Sequence, residues 1–441
     1  MHFAFLIIKL LRDSIGIICP PLPSHIGCMA ALGRELQQRN HRVTFLGIAD
    51  IESQVEAEGL HFWQIGQSDH PPGSVSQFRS QMGKMSGLSA MRFAFRTVQL
   101  ANEMICRDAP GALQEAGVEL LLVDQGEPMG GTVAEFLDIP FISICCGLPI
   151  NREASIPPYF TPWQYHNSWW ARSRNQFGYA IFDTLSRSIA KQITQKRQQW
   201  KLPAYRHPDD AFSQLAQISQ IPAEFDFPHR ALPKCFHYTG SFRKSSTRSV
   251  PFPYEQLTNQ PLIYASMGTI QNRQQEIFDS IAAACEKLDA QLVISLGGGE
   301  CVEYYQGLSR NPLIVKYAPQ MELLAKASLM ITHAGLNTIL ECLGHGVPMV
   351  AIPITGDQLG VGARLGWTGA GEVVPLSRLS VPRLREAVQQ VWAEDSYRQN
   401  ASKLRESIHQ AGGVVRAADL VEQVIATGKP VLASRTQIPQ Q

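Results

Sequence analysis

The chain has 441 residues, 44% of them apolar and 17% charged, with 39 basic against 38 acidic residues for a net charge of +1. That length is too great for one ordinary core and implies two or three domains. The balanced charge removes the electrostatic case for a nucleic-acid partner. Nine scattered cysteines without CxxC or zinc-type spacing point to reduced, mostly buried thiols rather than a disulfide scaffold or metal site.

The first eleven residues, MHFAFLIIKLL, are apolar but about half the length a membrane span needs. They lack a basic leader and a small-residue cleavage site. An extra element, a weak interfacial anchor and an upstream start codon all remain open, so residues 1–14 are read as an atypical extension. The β-branched run at 15–19 is the first buried strand, and prolines 20, 21 and 23 stop it because proline cannot donate to a ladder. A helix over 26–39 follows, with Met29, Leu32 and Leu36 on one side and Arg34, Glu35 and Gln38 on the other. His25 falls at this joint, where ligands bind in open α/β sheets.

The alternation continues with strand 42–48, helix 50–58, a strand near HFWQI, a long helix over 87–116, strand 120–124, helix 129–137 and strand 140–146. Such a pattern predicts a parallel sheet with helices on both faces. Residues 151–177 break it with prolines and aromatics; a helix at 178–200 and short strands near 216–219 and 236–238 follow. The Ser-, Thr- and Pro-rich stretch 239–261 reads as a linker. Strands then recur at 262–268, 291–297, 313–318, 329–335, 348–353 and 371–375, alternating with helices, and helices 381–394 and 396–410 close the second domain. The expected fold is therefore α/β, two doubly wound Rossmann-like domains facing a cleft: 1–240, a linker 241–260, 261–410, and a C-terminal segment 411–441 with a mobile tail.

The most specific stretch is THAGLNTILE, 332–341, another strand-to-helix joint. Gly335 lets backbone N–H groups approach a ligand closely, and the helix N-terminus behind it suits phosphate. Asn337 and Thr338 add donors, and Glu341 one turn on adds an acceptor for ribose hydroxyls. No G-x-G-x-x-G follows the first strand, which argues against a nicotinamide dehydrogenase. No DxD stands in a loop, since Asp209-Asp210 lacks the spacing and setting, so no metal is expected.

YAPQMELL, the histidine-containing turn and PITGDQ occur in the order of the donor-binding motif of family 1 glycosyltransferases, the UDP-sugar-dependent GT-B enzymes. PSHIGCMAALGREL resembles the first-helix motif of that family, although Ser24 stands where glycine is common. VDQGEPMGGTVAEFLDIPF and the aromatic segment resemble its bacterial zeaxanthin glucosyltransferase-like branch. The resemblance spans residues 15 to 420. It implies that Tyr317 stacks on uracil, that Ala318 meets the base through its backbone and that Gln320 lies beside base or ribose. It places the diphosphate on His333, Asn337, Thr338 and Thr269, the ribose on Glu341, and the sugar hydroxyls on Asp357 and Gln358.

A hydroxyl acceptor is a poor nucleophile without a base, and a neutral histidine within reach can take its proton. His25 is that base, and the residue matching its partner in the family is Asp124. The expected activity is inverting, metal-independent transfer of a hexose, glucose above all, from UDP to a lipophilic hydroxylated acceptor such as a carotenoid. Tyr159, Phe160, Trp163, Tyr165, Trp169, Trp170 and Phe177 are the candidate acceptor pocket, with weak peripheral membrane contact as a second role. A cytoplasmic enzyme, peripheral at most, is the expectation. A non-catalytic nucleotide-binding homologue and a nucleotide-sugar epimerase are the alternatives.

Overall fold

The computed structural model describes residues 13–82, 85, 87–242, 250–268, 275–298, 308 and 311–433. The first twelve residues, Thr269 and part of the linker lie outside that set. Seven strands form the first sheet: β1 (Ser14–Ile18), β2 (Arg42–Gly47), β3 (His61–Gln64), β4 (Leu120–Asp124), β5 (Phe141–Cys145), β6 (Gln217–Ser219) and β7 (Phe236–Tyr238). They lie in the order β3-β2-β1-β4-β5-β6-β7, every pair parallel. Its helices are α1 (Pro23–Gln38), α2 (Glu52–Glu56), α3 (Ser74–Met82), α4 (Gly87–Glu115), α5 (Gly130–Phe136) and α6 (Trp169–Gln199). β1 and β4 are buried at every position, as their unbroken apolar runs require of strands covered on both faces.

The second sheet comprises β8 (Leu262–Ser266), β9 (Gln291–Ser295), β10 (Leu313–Val315), β11 (Ala327–Thr332), β12 (Met349–Ala351) and β13 (Gly371–Val373). It runs β10-β9-β8-β11-β12-β13, again all parallel. Helices α7 (Gln275–Cys285), α8 (Gln320–Leu324), α9 (Leu336–Gly344), α10 (Gln358–Thr368), α11 (Val381–Ala393) and α12 (Asp395–Gln410) cover it, and α13 (Gly413–Thr427) follows. In each sheet the strand order reverses at one place, between β1 and β4 and between β8 and β11. Crevices open at such switch points, beyond the carboxyl ends of the strands.

Three elements differ from the sequence expectation. α3 is not among the expected helices, since Val75 is its one buried residue and no apolar stripe marks it. The aromatic segment does not stay irregular to 177: α6 begins at Trp169, behind an N-cap in which the Ser168 hydroxyl accepts from the Ala171 N–H. Its first turns carry exposed aromatics, so the apolar periodicity that marks a helix is absent there. The C-terminal segment contains α13, which crosses back to the first domain and buries Val414, Ala417, Val421 and Val424 in the core beneath α1. Arg39 anchors it, with Nη1 2.8 Å from Asp419 Oδ1 and 2.7 Å from Glu422 Oε2. Beyond it, the Val431 and Ala433 N–H groups donate to Leu215 O and Lys234 O at 2.9 and 2.8 Å. The eight described cysteines are unpaired and buried. Among the described residues no helix is long and apolar enough to cross a membrane.

Candidate active site

The loop after β1 is short because Pro23 occupies the first position of α1, where its missing N–H costs nothing. His25 therefore sits inside the first turn rather than ahead of the helix. β4 lies directly beside β1, with Ile18 opposite Val123, so the next residue, Asp124, ends beneath the imidazole. His25 Nδ1 is 2.7 Å from Asp124 Oδ2, and the Gly126 N–H donates to Asp124 Oδ1 at 2.7 Å. Asp124 is buried, whereas one fifth of the His25 side chain is exposed, at 20%. A carboxylate can only accept, so Nδ1 carries the proton and Nε2 keeps its lone pair. Burial alone would lower the pKa of His25. The charge and hydrogen bond of Asp124, with Asp357 and Glu127 adding negative potential, outweigh it and hold the imidazole above its ordinary value.

Cys146 completes this cluster: its Sγ and the ligand atoms of His25 and Asp124 lie within 4.8 Å of one another. As a metal cradle the trio fits poorly. Both Asp124 oxygens already hold hydrogen bonds. The thiol is pushed well above its ordinary pKa by burial, by Cys28 and by Asp124, so it stays protonated. Glu127, absent from the sequence expectation, is buried next to the dyad with one carboxylate oxygen lacking a partner. Burial, reinforced by Asp124 and opposed by His25, pushes its carboxyl up to about 8. Its signal was its place three residues after Asp124 in the turn leaving β4.

Gln125 and Gly126, next along that turn, line a cavity of about 670 Å³ between the sheet edge, α4 and α6. Its walls are largely apolar, with Phe95, Phe160, Phe182 and Ile193 among them, and Arg152 and Asp183 pair across it at 2.5 Å. A Cβ added at Gly126 would stand 3.8 Å from His25 Cε1, so the cavity ends one residue from the imidazole. The expected aromatic pocket divides three ways. Tyr159 and Phe160 line the cavity. Tyr165 is buried against Phe227 and Trp367, and Trp163 lies under Arg174. Trp169, Trp170 and Phe177 face solvent. The heptad-like spacing of Phe182, Ile189 and Ile193 was the signal for the α6 wall.

Across the cleft, β11 leads into His333 and α9. Ala334 holds a left-handed backbone (φ 65°) while fully buried, a strained conformation that turns the chain at this joint. The His333 ring lies between two glycines: a Cβ at Gly268 would come 2.6 Å from Cε1, and one at Gly335 2.5 Å from Nε2. Burial lowers its pKa to about 4, opposed only by a backbone hydrogen bond at Ser266. His333 is thus a neutral hydrogen-bonding group. Gly335 is the N-cap of α9 and gives it no side-chain cap, which leaves the first-turn N–H groups facing the cleft mouth.

The other expected donor residues gather around this turn. The Gln320 amide donates to the buried Glu341 carboxylate at 2.5 Å, and Tyr264 Oη–H donates to Gln320 Oε1 at 3.3 Å. Tyr317, 51% exposed, projects over Gly298 at the exit of β9, and Ala318 packs partly buried behind it. Thr338 sits half-buried in the first turn of α9. Asn337 spans the cleft: its amide donates to Ser24 O at 3.2 Å and accepts from Gln220 Nε2 at 3.0 Å. Asp357 holds the N-cap position of α10 without a side-chain cap and faces the first domain, 3.9 Å from where a Gly147 Cβ would stand; burial raises its carboxyl pKa while His25 pulls it back. Gln358 Oε1 accepts the N–H groups of Ile354 and Thr355, so that oxygen shapes its own loop. Further along the same helix, buried Arg364 donates to Asp226 Oδ1 at 2.6 Å and fixes α10 to the first domain.

Two parallel-sheet domains presenting a His–Asp dyad and a phosphate-type helix turn to one cleft are the architecture of GT-B glycosyltransferases. The calicheamicin glycosyltransferase CalG4 superposes with a TM-score of 0.71 over 95% of this chain and all of its own, at 20% identity. The glycosyltransferase of kitacinnamycin gives 0.73 over 93% of this chain and 98% of its own, at 19%. The model of the UDP-glucoronosyl and UDP-glucosyl transferase family matches residues 24–420, and the chain belongs to that family. It is therefore an enzyme, a glycosyltransferase using a UDP-sugar donor and a glycosyl acceptor. Zeaxanthin glucosyltransferase of Pantoea ananas is 35% identical over 94% of this chain and 97% of its own, and that of Pseudescherichia vulneris 36% over 94% and 99%.

Proposed function

We propose that the enzyme transfers glucose from UDP-glucose to a hydroxyl of a lipophilic acceptor, a carotenoid diol of the zeaxanthin type, with inversion at the anomeric carbon. The observation that supports it most is the largely apolar cavity of about 670 Å³ ending one residue from His25. A cavity of that size encloses most of a large hydrophobic molecule, and its inner end would hold the acceptor hydroxyl against Nε2. The acceptor O–H proton passes to His25 Nε2 as the oxygen forms its bond to the anomeric carbon. The bond from that carbon to the phosphate oxygen breaks with its electron pair, and UDP leaves. Asp124 orients the imidazole and stabilises the imidazolium.

The first-turn N–H groups of α9 and a hydrogen bond from neutral His333 meet the charge developing on the departing diphosphate. Asn337, Thr338 and Thr269 add phosphate contacts. Tyr317, Ala318, Gln320 and Glu341 take the nucleoside, and Asp357 with Gln358 the sugar. No cofactor or metal takes part in this scheme. Labelled UDP-glucose incubated with xanthophylls, sterols and phenolics, read by mass spectrometry, tests the reading. A xanthophyll glucoside as the main product is expected; glucosylation confined to small polar phenolics would reject the acceptor.

A further inference from the structure

α6 is unlike the rest of this nearly neutral chain. It carries Arg172, Arg174, Arg187, Lys191, Lys196 and Arg197 against a single acid, Asp183, which Arg152 already holds. One side of the helix supplies cavity wall, through Tyr179, Phe182, Ile189 and Ile193. The opposite side is bare. Trp169 is 80% exposed, Phe177 66%, Trp170 46% and Ile181 44%. At 100° per residue these four and Lys191 share an arc of about 120°; Arg187 lies at its edge, where it also lines the cavity, and Arg172 about 60° beyond that edge. Among the described residues no carboxylate pairs with Arg172, Arg187 or Lys191. Exposed aromatic and aliphatic side chains thus mark the first four turns of this outer face, with Arg187 and Lys191 beyond them, on the helix whose inner face forms the cavity.

We infer that this outer face of α6 docks the enzyme on an anionic phospholipid surface. Tryptophan and phenylalanine seat at the headgroup level with their apolar bodies in the acyl boundary, and unpaired arginine and lysine meet anionic headgroups. A protein partner would need a complementary acidic and apolar surface, whereas a bilayer supplies both chemistries at once, in the layered order this face presents. The position also has a use, which rests on the lipophilic-acceptor reading: a membrane-dissolved acceptor would cross only the thickness of one helix to reach the cavity. Binding here is reversible, since the inserted area is that of a few side chains.

The test is co-sedimentation of the full chain with vesicles of phosphatidylcholine alone and with about one third phosphatidylglycerol, without any acceptor. The wild type should bind the anionic vesicles and bind the neutral ones at least fivefold less. Trp169→Asp/Phe177→Asp should lower partitioning about tenfold or more. Arg172→Gln/Lys191→Gln should lose the preference for anionic lipid, by about fivefold per neutralised charge. None of these residues lines the cavity or the dyad, so UDP affinity and turnover of a detergent-solubilised acceptor should be unchanged. Wild-type vesicle binding by both variants, or no binding by the wild type, would overturn the inference. So would a wild-type dimer that Trp169→Asp/Phe177→Asp dissociates, since the face would then be a self-interface. Loss of vesicle binding in the variants with no xanthophyll product from any of them would keep the docking face and remove the acceptor reading.

Discussion

His25 and His333 each stand where a central strand of their own sheet gives way to a helix, His25 in the first turn of α1 after β1 and His333 between β11 and α9. At the first joint a buried carboxylate lies 2.7 Å from the ring, and the pKa rises above the ordinary value. At the second, two glycines flank the ring without offering charge, and burial lowers the pKa to about 4. The same residue at comparable joints thus has a raised pKa beside a carboxylate in one domain and is a neutral hydrogen-bonding group in the other. What separates them is the strand next door. β4 ends in Asp124, whereas β8, beside β11, ends in Ser266 and leads into glycine.

The largest expected effect removes the acceptor of the proton. His25→Ala should lower turnover by about 10²–10⁴-fold, the range for a general base, while calorimetry finds UDP affinity within about twofold of wild type. Retained turnover would erase the contrast between the two histidines. Asp124→Asn sharpens it further. In the wild type, kcat/KM should fall as pH drops through a value above 6.5, where His25 takes up a proton. Without the carboxylate charge that limb should move to lower pH, and the plateau should drop because the Asn oxygen that accepts from Gly126 N–H leaves the amide donor facing Nδ1. A limb that stays in place would mean another group titrates.

Next in size are changes on the donor side. Asn337→Ala and Glu341→Ala should each weaken UDP binding by about 1–3 kcal/mol, the cost of a lost partner in a desolvated site. Asn337→Ala should also lower Tm, because that amide ties Ser24 and Gln220 across the cleft. Unchanged calorimetric affinity in both would move the phosphate site away from α9. His333→Ala should shift no pH limb between 6 and 9, since a group with a pKa near 4 is neutral throughout.

Smaller still is the effect of Glu127→Gln. A carboxyl at about 8 is protonated at pH 7, so the amide is a near isostere and turnover there should change by less than about twofold. Its folded pKa lies above the unfolded value near about 4.3. The stability that goes with the protonated form is therefore complete below that value and is lost as pH rises toward 8. Relative to wild type, Glu127→Gln should gain stability over this window, by about 1–4 kcal/mol at its upper end; parallel curves of Tm against pH would show that Glu127 ionises normally. The smallest expected change is with EDTA, which should leave activity within about a factor of two if the helix dipole and His333 meet the leaving charge. Strict Mg²⁺ dependence would contradict that.

Much of this protein was legible in its residues because local rules and global fold agree. Apolar runs of five bounded by Pro and Gly could only be strands buried on both faces, and their alternation with amphipathic stretches required parallel sheets. A histidine, a glycine and short donors at a strand-to-helix joint marked a candidate ligand site, since that joint carries unpaired N–H groups and the end of a dipole. What the residues could not carry were relations between distant segments. The His25–Asp124 bond spans 99 positions and exists because β1 and β4 are neighbours in the sheet.

Asn337 to Ser24, Arg364 to Asp226 and the return of α13 to α1 likewise exist only once both domains are folded against each other. The aromatic segment shows the same division most plainly. Composition marked it as a surface for something large and apolar. Only packing decided that Tyr159 and Phe160 face a cavity, that Tyr165 closes a core, and that Trp169 and Phe177 meet solvent. Side-chain chemistry is a property of the sequence. Which side of a helix is covered depends on what the rest of the chain places against it.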